Sequence, residues 1–567
     1  MRRFGRVVLV WSVLTVPIAC SDDAAPAATT EARAVETVIA VDNEFRPQSL
    51  TVRAGTEVVF ENKGALEHNV VPIDDPTAAE WGVLEADFGP ADTYAHVFGT
   101  PGNYEYYCTI HGSPTAGMRG TIVVTDDTDV PVTDPVQAST TTVPSGPVES
   151  IAVPADQPTI QAAVDAAAPG DLILVSPGTY HEAVQVATDR LTIRGLERNT
   201  VVLDGQLELD TGIRVLGAAG VTIENMTAMN YTKNGFFWTG VTGYRGSYLT
   251  TYRTGDYGVY SYDSVDGQLD HLYTAGSVDA GVYIGGCFPC NTVLTDSISE
   301  YNGIGYSGTN AGGDLFVVHS VFRNNRVGML PNSGTYELCY PQRNTTITGN
   351  LIHDNNEPDT PSIRFAVLAQ GNGIIISGGV QNVIERNRVV DHDMAGIALL
   401  PFLEYDPNDE QPPRSEWDRP CAEQRLDRPS DPGTPTLWDA FDNRVVGNVL
   451  TDNRYADFLV ASSSGDSSEL GNCFADNTFA TSIPANVERL APCDAAGTGT
   501  WGDDEFDAVE WLSTTTSRGP DWRTVELPEL PTQENMPNAA TTPAHPATDT
   551  PFAVDLASIE VPAMPSR

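Results

Sequence analysis

The sequence predicts an all-β protein in two bodies: a small β-sandwich over residues 36–125, then a parallel β-helix over residues 149–494. Three observations predict this. Between Glu36 and Thr125, short runs rich in Val, Ile, Phe and Tyr (ETVIAV, LTVRAGTEVVFEN, YAHVF, MRGTIVVT) are broken by Gly, Pro and Asn, the pattern of strands and turns. Further on, a Gly followed by an apolar residue recurs at Gly212, Gly235, Gly258, Gly281, Gly305 and Gly328, in steps of 23, 23, 23, 24 and 23 residues. It returns at Gly373 and Gly396 after a gap of 45. A unit of that length with two or three strands and no helical pattern cannot bury its own apolar face, so units must stack. About ten to twelve coils at about 4.8 Å each would make a rod roughly 50 Å long. Third, DDTDVPVTDPVQASTTTVPSGPV at 126–148 is poor in apolar residues and reads as a linker.

At the N-terminus, three arginines precede an apolar run from Val7 to Ala19, too short to cross a bilayer comfortably and suited to a signal peptide. With Cys20 following Ala19, residues 1–20 resemble a bacterial lipoprotein signal. That resemblance implies lipidation of Cys20, an extracytoplasmic location and an Ala/Thr-rich tether over 21–35. The chain carries 76 acidic against 31 basic residues, a formal net charge of −45. Such a field repels nucleic acid and anionic lipid, so the only membrane link expected is the lipid on Cys20.

The second body should open with a short helix at about Ile160–Ala167. The stretch TIQAAVDAAAPGDLILVSPGTYHEAVQV resembles the opening of right-handed parallel β-helix proteins, in which a short helix caps the first coil. That group includes pectate lyases, alginate epimerases and the copper-binding accessory protein of nitrous oxide reductase, and it specifies fold better than function. Insertions interrupt the rod at about Tyr340–Gln370 and Phe402–Asp442. In an oxidising compartment the spacing of six cysteines suggests Cys287–Cys290, Cys339–Cys421 and Cys473–Cys493. The acidic, Pro-rich tail at 495–567 is expected to be largely disordered.

The sandwich carries YYCTIHGSPTAGMRG, in which Cys108, His111 and Met118 fall within eleven residues. A soft, redox-active copper ion takes a thiolate, two imidazoles and a weak axial thioether. ALEHNVVP supplies the second imidazole, His68, with Asn69 placed to tie the two ligand segments together. Zinc also accepts a Cys/His₂ set, but the methionine favours copper. The strands around these residues resemble the plastocyanin-like cupredoxins. This implies a Greek-key sandwich, one type 1 copper held by His68, Cys108, His111 and Met118, electron transfer, and a redox partner protein. Six residues separate His111 from Met118, more than in most of that family. His96 has no such context and reads as a surface residue.

On the β-helix, Asp256, Asp279 and Asn302 should stack on successive coils, more simply as a turn ladder than as a catalytic row. His319, Arg323 and Arg326 could make a basic spot, and Asp391, His392 and Asp393 a titratable one. The aromatic-rich stretch Tyr231–Tyr262 should expose about half its rings, which would stack on a sugar. CFPC at Cys287–Cys290 reads as a structural clip. The expected function is therefore electron transfer by an exported copper protein whose β-helix binds a glycan or protein partner. The alternatives are a polysaccharide lyase or epimerase with an accessory copper domain, and a copper-delivery protein.

Overall fold

The computed structural model describes residues 34–41, 43–64, 66–73, 81–115, 117–126, 150–424, 432–502, 505–544 and 553–564. The signal-like segment, nearly all of the tether and the linker expected at 126–148 lie outside these residues.

The first body is a sandwich of two four-stranded sheets. One runs β2 (Glu44–Arg46), β1 (Val35–Val41), β4 (Thr56–Asn62), β6 (Thr93–Phe98). The other runs β3 (Ser49–Arg53), β8 (Gly117–Thr125), β7 (Gly102–Gly112), β5 (Val71–Pro72). Strict in–out alternation along β4 and β8 sends Val58, Phe60, Ile122 and Val124 into one core with Phe45, Tyr106 and Cys108. That alternation is what a half-buried strand requires.

The second body is a right-handed parallel β-helix. Its first coil is covered by α1 (Ile160–Ala166), which buries Ile160, Ala163 and Val164. Thr159 caps this helix by accepting the Ala162 N–H, and the Glu182 carboxylate takes the N–H groups of Ile160 and Gln161 at 3.0 Å each, satisfying donors that a helix start leaves unpaired. Behind the cap run three parallel ladders, one of them eleven strands long, within the expected number of coils. The 23-residue beat is the register itself: Phe236 pairs with Val259 and Val259 with Val282.

The interior is a continuous column of Val, Ile, Leu and Phe from Val153 to Val487. Buried asparagines stack at the turns. Asn302 donates to Asn325 at 3.1 Å and Asn325 to Asn355 at 3.0 Å, and a second file runs Asn350, Asn387, Asn448, Asn477. The three disulfides expected from spacing all form. Within the second insertion, Phe402–Glu404 pairs antiparallel with Thr436–Trp438.

The tail corrects an expectation of disorder. Its described residues lie along the β-helix, held largely through their backbone carbonyls. Arg253 donates to Trp522 and Val525, Arg198 to Glu534, Arg194 to Ala539, Thr542 and Pro543, and Arg388 to Pro562. Ile559 packs on Val293 and Val318. An acidic, Pro-rich segment cannot build a core of its own, but here guanidinium groups of the β-helix satisfy its carbonyls.

Candidate metal centre

Two segments meet at one end of the sandwich. Cys108 and His111 stand at the end of β7, and His68 stands just before β5, which pairs with β7 through Val71 and Tyr107. Cys108 Sγ lies 3.8 Å from His68 Nδ1 and 3.7 Å from His111 Nδ1, and the two Nδ1 atoms are 3.1 Å apart. All three residues are buried. Three donors about 2.0–2.3 Å from one ion in a near-trigonal set stand roughly 3–4 Å apart, so this set fits a single small ion.

Met118 follows on β8, buried in the same cluster as Cys108. The chain returns to it through Gly112 paired with Gly117. Gly117 has φ +75°, and a Cβ there would sit 2.5 Å from the His111 carbonyl oxygen. Only glycine tolerates both, and this close turn accommodates the long interval between His111 and Met118.

The electrostatics suit metal ligation, which needs thiolate and neutral imidazole. Burial pushes the Cys108 thiol up, but a hydrogen bond from His68, the charge of His68 and backbone bonds at Asn69 and His111 outweigh it, so the net shift is downward. Burial, reinforced by the nearby charges of His68, Lys233 and Arg214, takes His111 well below its ordinary value.

Lys233 and Arg214 belong to the β-helix, so the metal end of the sandwich rests on the second body. Asn43 Nδ2 donates to Tyr260 Oη at 2.8 Å, Arg214 to the Thr109 carbonyl at 3.2 Å, and Lys233 Nζ lies 2.7 Å from Glu67 Oε2. A small cavity between the bodies is lined by Leu66, Ile110 and His111 on one side and by Tyr257, Tyr260 and Lys233 on the other.

The exposed-ring expectation holds only for Tyr248 and Tyr252, which are partly exposed; the other eight rings are buried. Tyr231, Phe236, Phe237, Trp238, Tyr244, Tyr257, Tyr260 and Tyr262 are all at most 6% exposed. The inward rings fill the column. Of the others, Phe237, Tyr257 and Tyr260 stack at 4.7 and 4.4 Å between centroids, and Tyr257 and Tyr260 abut the copper-domain end.

The other β-helix candidates do not converge. Asp279 accepts from Tyr257 at 3.0 Å and Asp256 lies 3.6 Å from Lys233, while Asn302 leaves that row for the asparagine file. Arg323 pairs with Glu300 at 2.7 Å, Arg326 holds the Thr360 carbonyl at 2.8 Å, and His319 is exposed. His392 is wholly buried between Asn355 and Asn453, so it cannot act with Asp391 and Asp393 as a surface cluster. His96 packs on Trp81 and Phe98. Sequence spacing missed one polar group: Asp270 with His271 at 2.8 Å and Arg245 at 3.3 Å. Arg245 and Asp270 come from coils adjacent in space.

Residues 35–125 match the family model for copper binding proteins of the plastocyanin/azurin family, and residues 211–400 that for a right-handed β-helix region. The plastocyanin of Scenedesmus fuscus is 38% identical over 85 residues, which is 14% of this chain and 85% of that protein. The chloroplastic plastocyanin of Physcomitrium patens is 38% identical over 87 residues, 14% of this chain and 49% of that protein, so the chain spans about half its length. Among solved structures, the A-module of the mannuronan C-5 epimerase of Azotobacter vinelandii aligns with 56% of this chain and 90% of its own, at 14% identity and a TM-score of 0.37. Through its first β-sandwich, the chain belongs to the plastocyanin/azurin family of copper-binding proteins.

Proposed function

We propose that this protein is an exported electron carrier that holds one type 1 copper through His68, Cys108, His111 and Met118. The observation that carries the reading is the buried triad of Sγ and two Nδ1 atoms within 3.1–3.8 Å of one another. A copper ion in such a set supplies a one-electron couple. The chain's own residues hold the donors ready: Asn69 ties the His68 segment to the Cys108 strand, burial excludes water, and the thiol is biased toward its anion.

Export is supported by the three disulfides, which persist in oxidising compartments. The proposed anchor is a lipid on Cys20, and the proposed counterpart is a redox protein. Carbohydrate processing on the β-helix loses most of its support from sugar stacking, because eight of the ten rings between Tyr231 and Tyr262 are buried and only Tyr248 and Tyr252 stay partly open.

The test is an absorption and electron paramagnetic resonance titration of the full chain with Cu(II), beside Cys108→Ser. An intense visible thiolate-to-copper band reaching its limit at about one copper per chain, reducible and reoxidisable, and absent from C108S, is the expected result. Copper taken up without that band, or surrendered promptly to a weak chelator, would favour delivery over electron transfer.

A further inference from the structure

Resting on that copper reading, we infer that Lys233 and Arg214, two cations carried by the β-helix, set the redox poise of the centre in the neighbouring domain. They are not ligands and act on it through space.

The chain holds only two lysines among 567 residues, in a protein of net charge −45. Both sit at the junction of the two bodies: Lys63 Nζ is 3.0 Å from Asp406, and Lys233 Nζ is 2.7 Å from Glu67. Glu67 immediately precedes the ligand His68. Arg214 reaches the other ligand strand and donates to the carbonyl of Thr109, the residue after Cys108, at 3.2 Å. The two cations therefore grip the site from both segments that build it, and both line the small cavity against His111.

Their charges are fixed. Burial works against the Lys233 ammonium, but Asp256 and Glu67 outweigh it and hold the proton firmly. Arg214 is paired with Asp210, and a guanidinium is a permanent cation in proteins. Asp210, Asp256 and Glu67 partly balance these cations, so removing either cation also unmasks carboxylates, and both effects have the same sign.

The direction follows from Coulomb's law. The oxidised centre carries one more positive charge than the reduced one, so a nearby cation raises the energy of Cu(II) more than that of Cu(I). The Lys233 and Arg214 side chains are only 20% and 11% exposed, so water and salt screen them less than open surface charges. These two cations therefore make the copper harder to oxidise than it would be without them.

The test uses the full chain loaded with copper, with Lys233→Gln, Arg214→Gln, the conservative Lys233→Arg and a control, Arg53→Gln. Arg53 pairs in register with Thr125, seven residues along β8 from Met118. The visible band reports an intact site, and the Cu(II)/Cu(I) ratio at a fixed ambient potential reports the poise. K233Q and R214Q should keep the band and shift the ratio about tenfold toward Cu(II), with K233R restoring it and R53Q leaving it unmoved. R214Q leaves the Lys233–Glu67 contact in place, so it reads the charge even where K233Q loosens the docking. An unchanged ratio in both variants, or an equal shift in R53Q, overturns the assignment while leaving the copper reading intact. If the unmodified chain shows no band, both fall together.

Discussion

Asn69 grips Thr109 from both sides of its amide: Oδ1 accepts the Thr109 N–H at 2.8 Å and Nδ2 donates to Thr109 Oγ1 at 2.7 Å. The two residues are neighbours of the proposed ligands His68 and Cys108. This clasp joins the only two segments that supply the donor triad, so the spacing of the donors depends on it.

Asn69→Ala should therefore loosen the site before it unfolds the sandwich. Two hydrogen bonds are lost and the Thr109 amide loses its partner, a cost of about 1–3 kcal/mol. Copper affinity should fall roughly 10- to 100-fold, as for other residues that orient metal ligands. Chemical denaturation of the metal-free chain and a competitive copper titration check the two parts separately.

His392 makes the β-helix acid-sensitive. It stands where the buried file otherwise has asparagine, with Asn355 Nδ2 at 3.1 Å from Nε2 and Asn453 Oδ1 at 2.9 Å from Nδ1. Asn355 points a donor at Nε2, so that nitrogen must accept and Nδ1 must carry the hydrogen. A second proton has no place. Burial is the leading cause that lowers its pKa to about 4. Because the folded value lies below the unfolded one of about 6.5, stability is full above pH 6.5 and is lost as pH falls toward 4, by about 3 kcal/mol. The thermal transition of the β-helix followed between pH 7 and 4 should show this loss, and His392→Asn should flatten it.

The tail offers a contrast between a local and a global effect. Arg253→Ala removes donors to the Trp522 and Val525 carbonyls, and should release that stretch to limited proteolysis while costing the β-helix only about 1 kcal/mol. Arg194→Ala frees Ala539, Thr542 and Pro543 but also breaks the 2.6 Å pair with Glu224, in which both side chains are wholly buried, leaving Glu224 with Arg245 at 4.0 Å among its contacts. Breaking such a pair costs about 3–5 kcal/mol, so the thermal transition should drop markedly as well. Equal effects from the two variants would show that the tail is not held as described.

Much of the architecture was legible in the chain because its signals are local or periodic. A 23-residue beat can only become a stack of coils, since a single coil has nothing against which to bury Phe236 or Val259. Cys108, His111 and Met118 lie on one turn between paired strands, and Ile160, Ala163 and Val164 mark a helix by their spacing. The pairings Cys287–Cys290 and Cys473–Cys493 close short loops for the same reason.

What escaped that reading depends on surfaces far apart in sequence. Whether Tyr257 and Tyr260 face water is settled by the sandwich that rests on them, and nothing in their own strands records it. The tail's composition correctly denies it a core, yet Arg194, Arg198, Arg253 and Arg388, 174 to 349 residues upstream, give its carbonyls partners. Lys233 and Glu67 are 166 residues apart, and only the docking of one folded body on another brings that ammonium to the buried Cys/His cluster. Periodicity and spacing report how a segment buries its own apolar face; which finished face then meets another is a matter of shape and charge that exists only once both have folded.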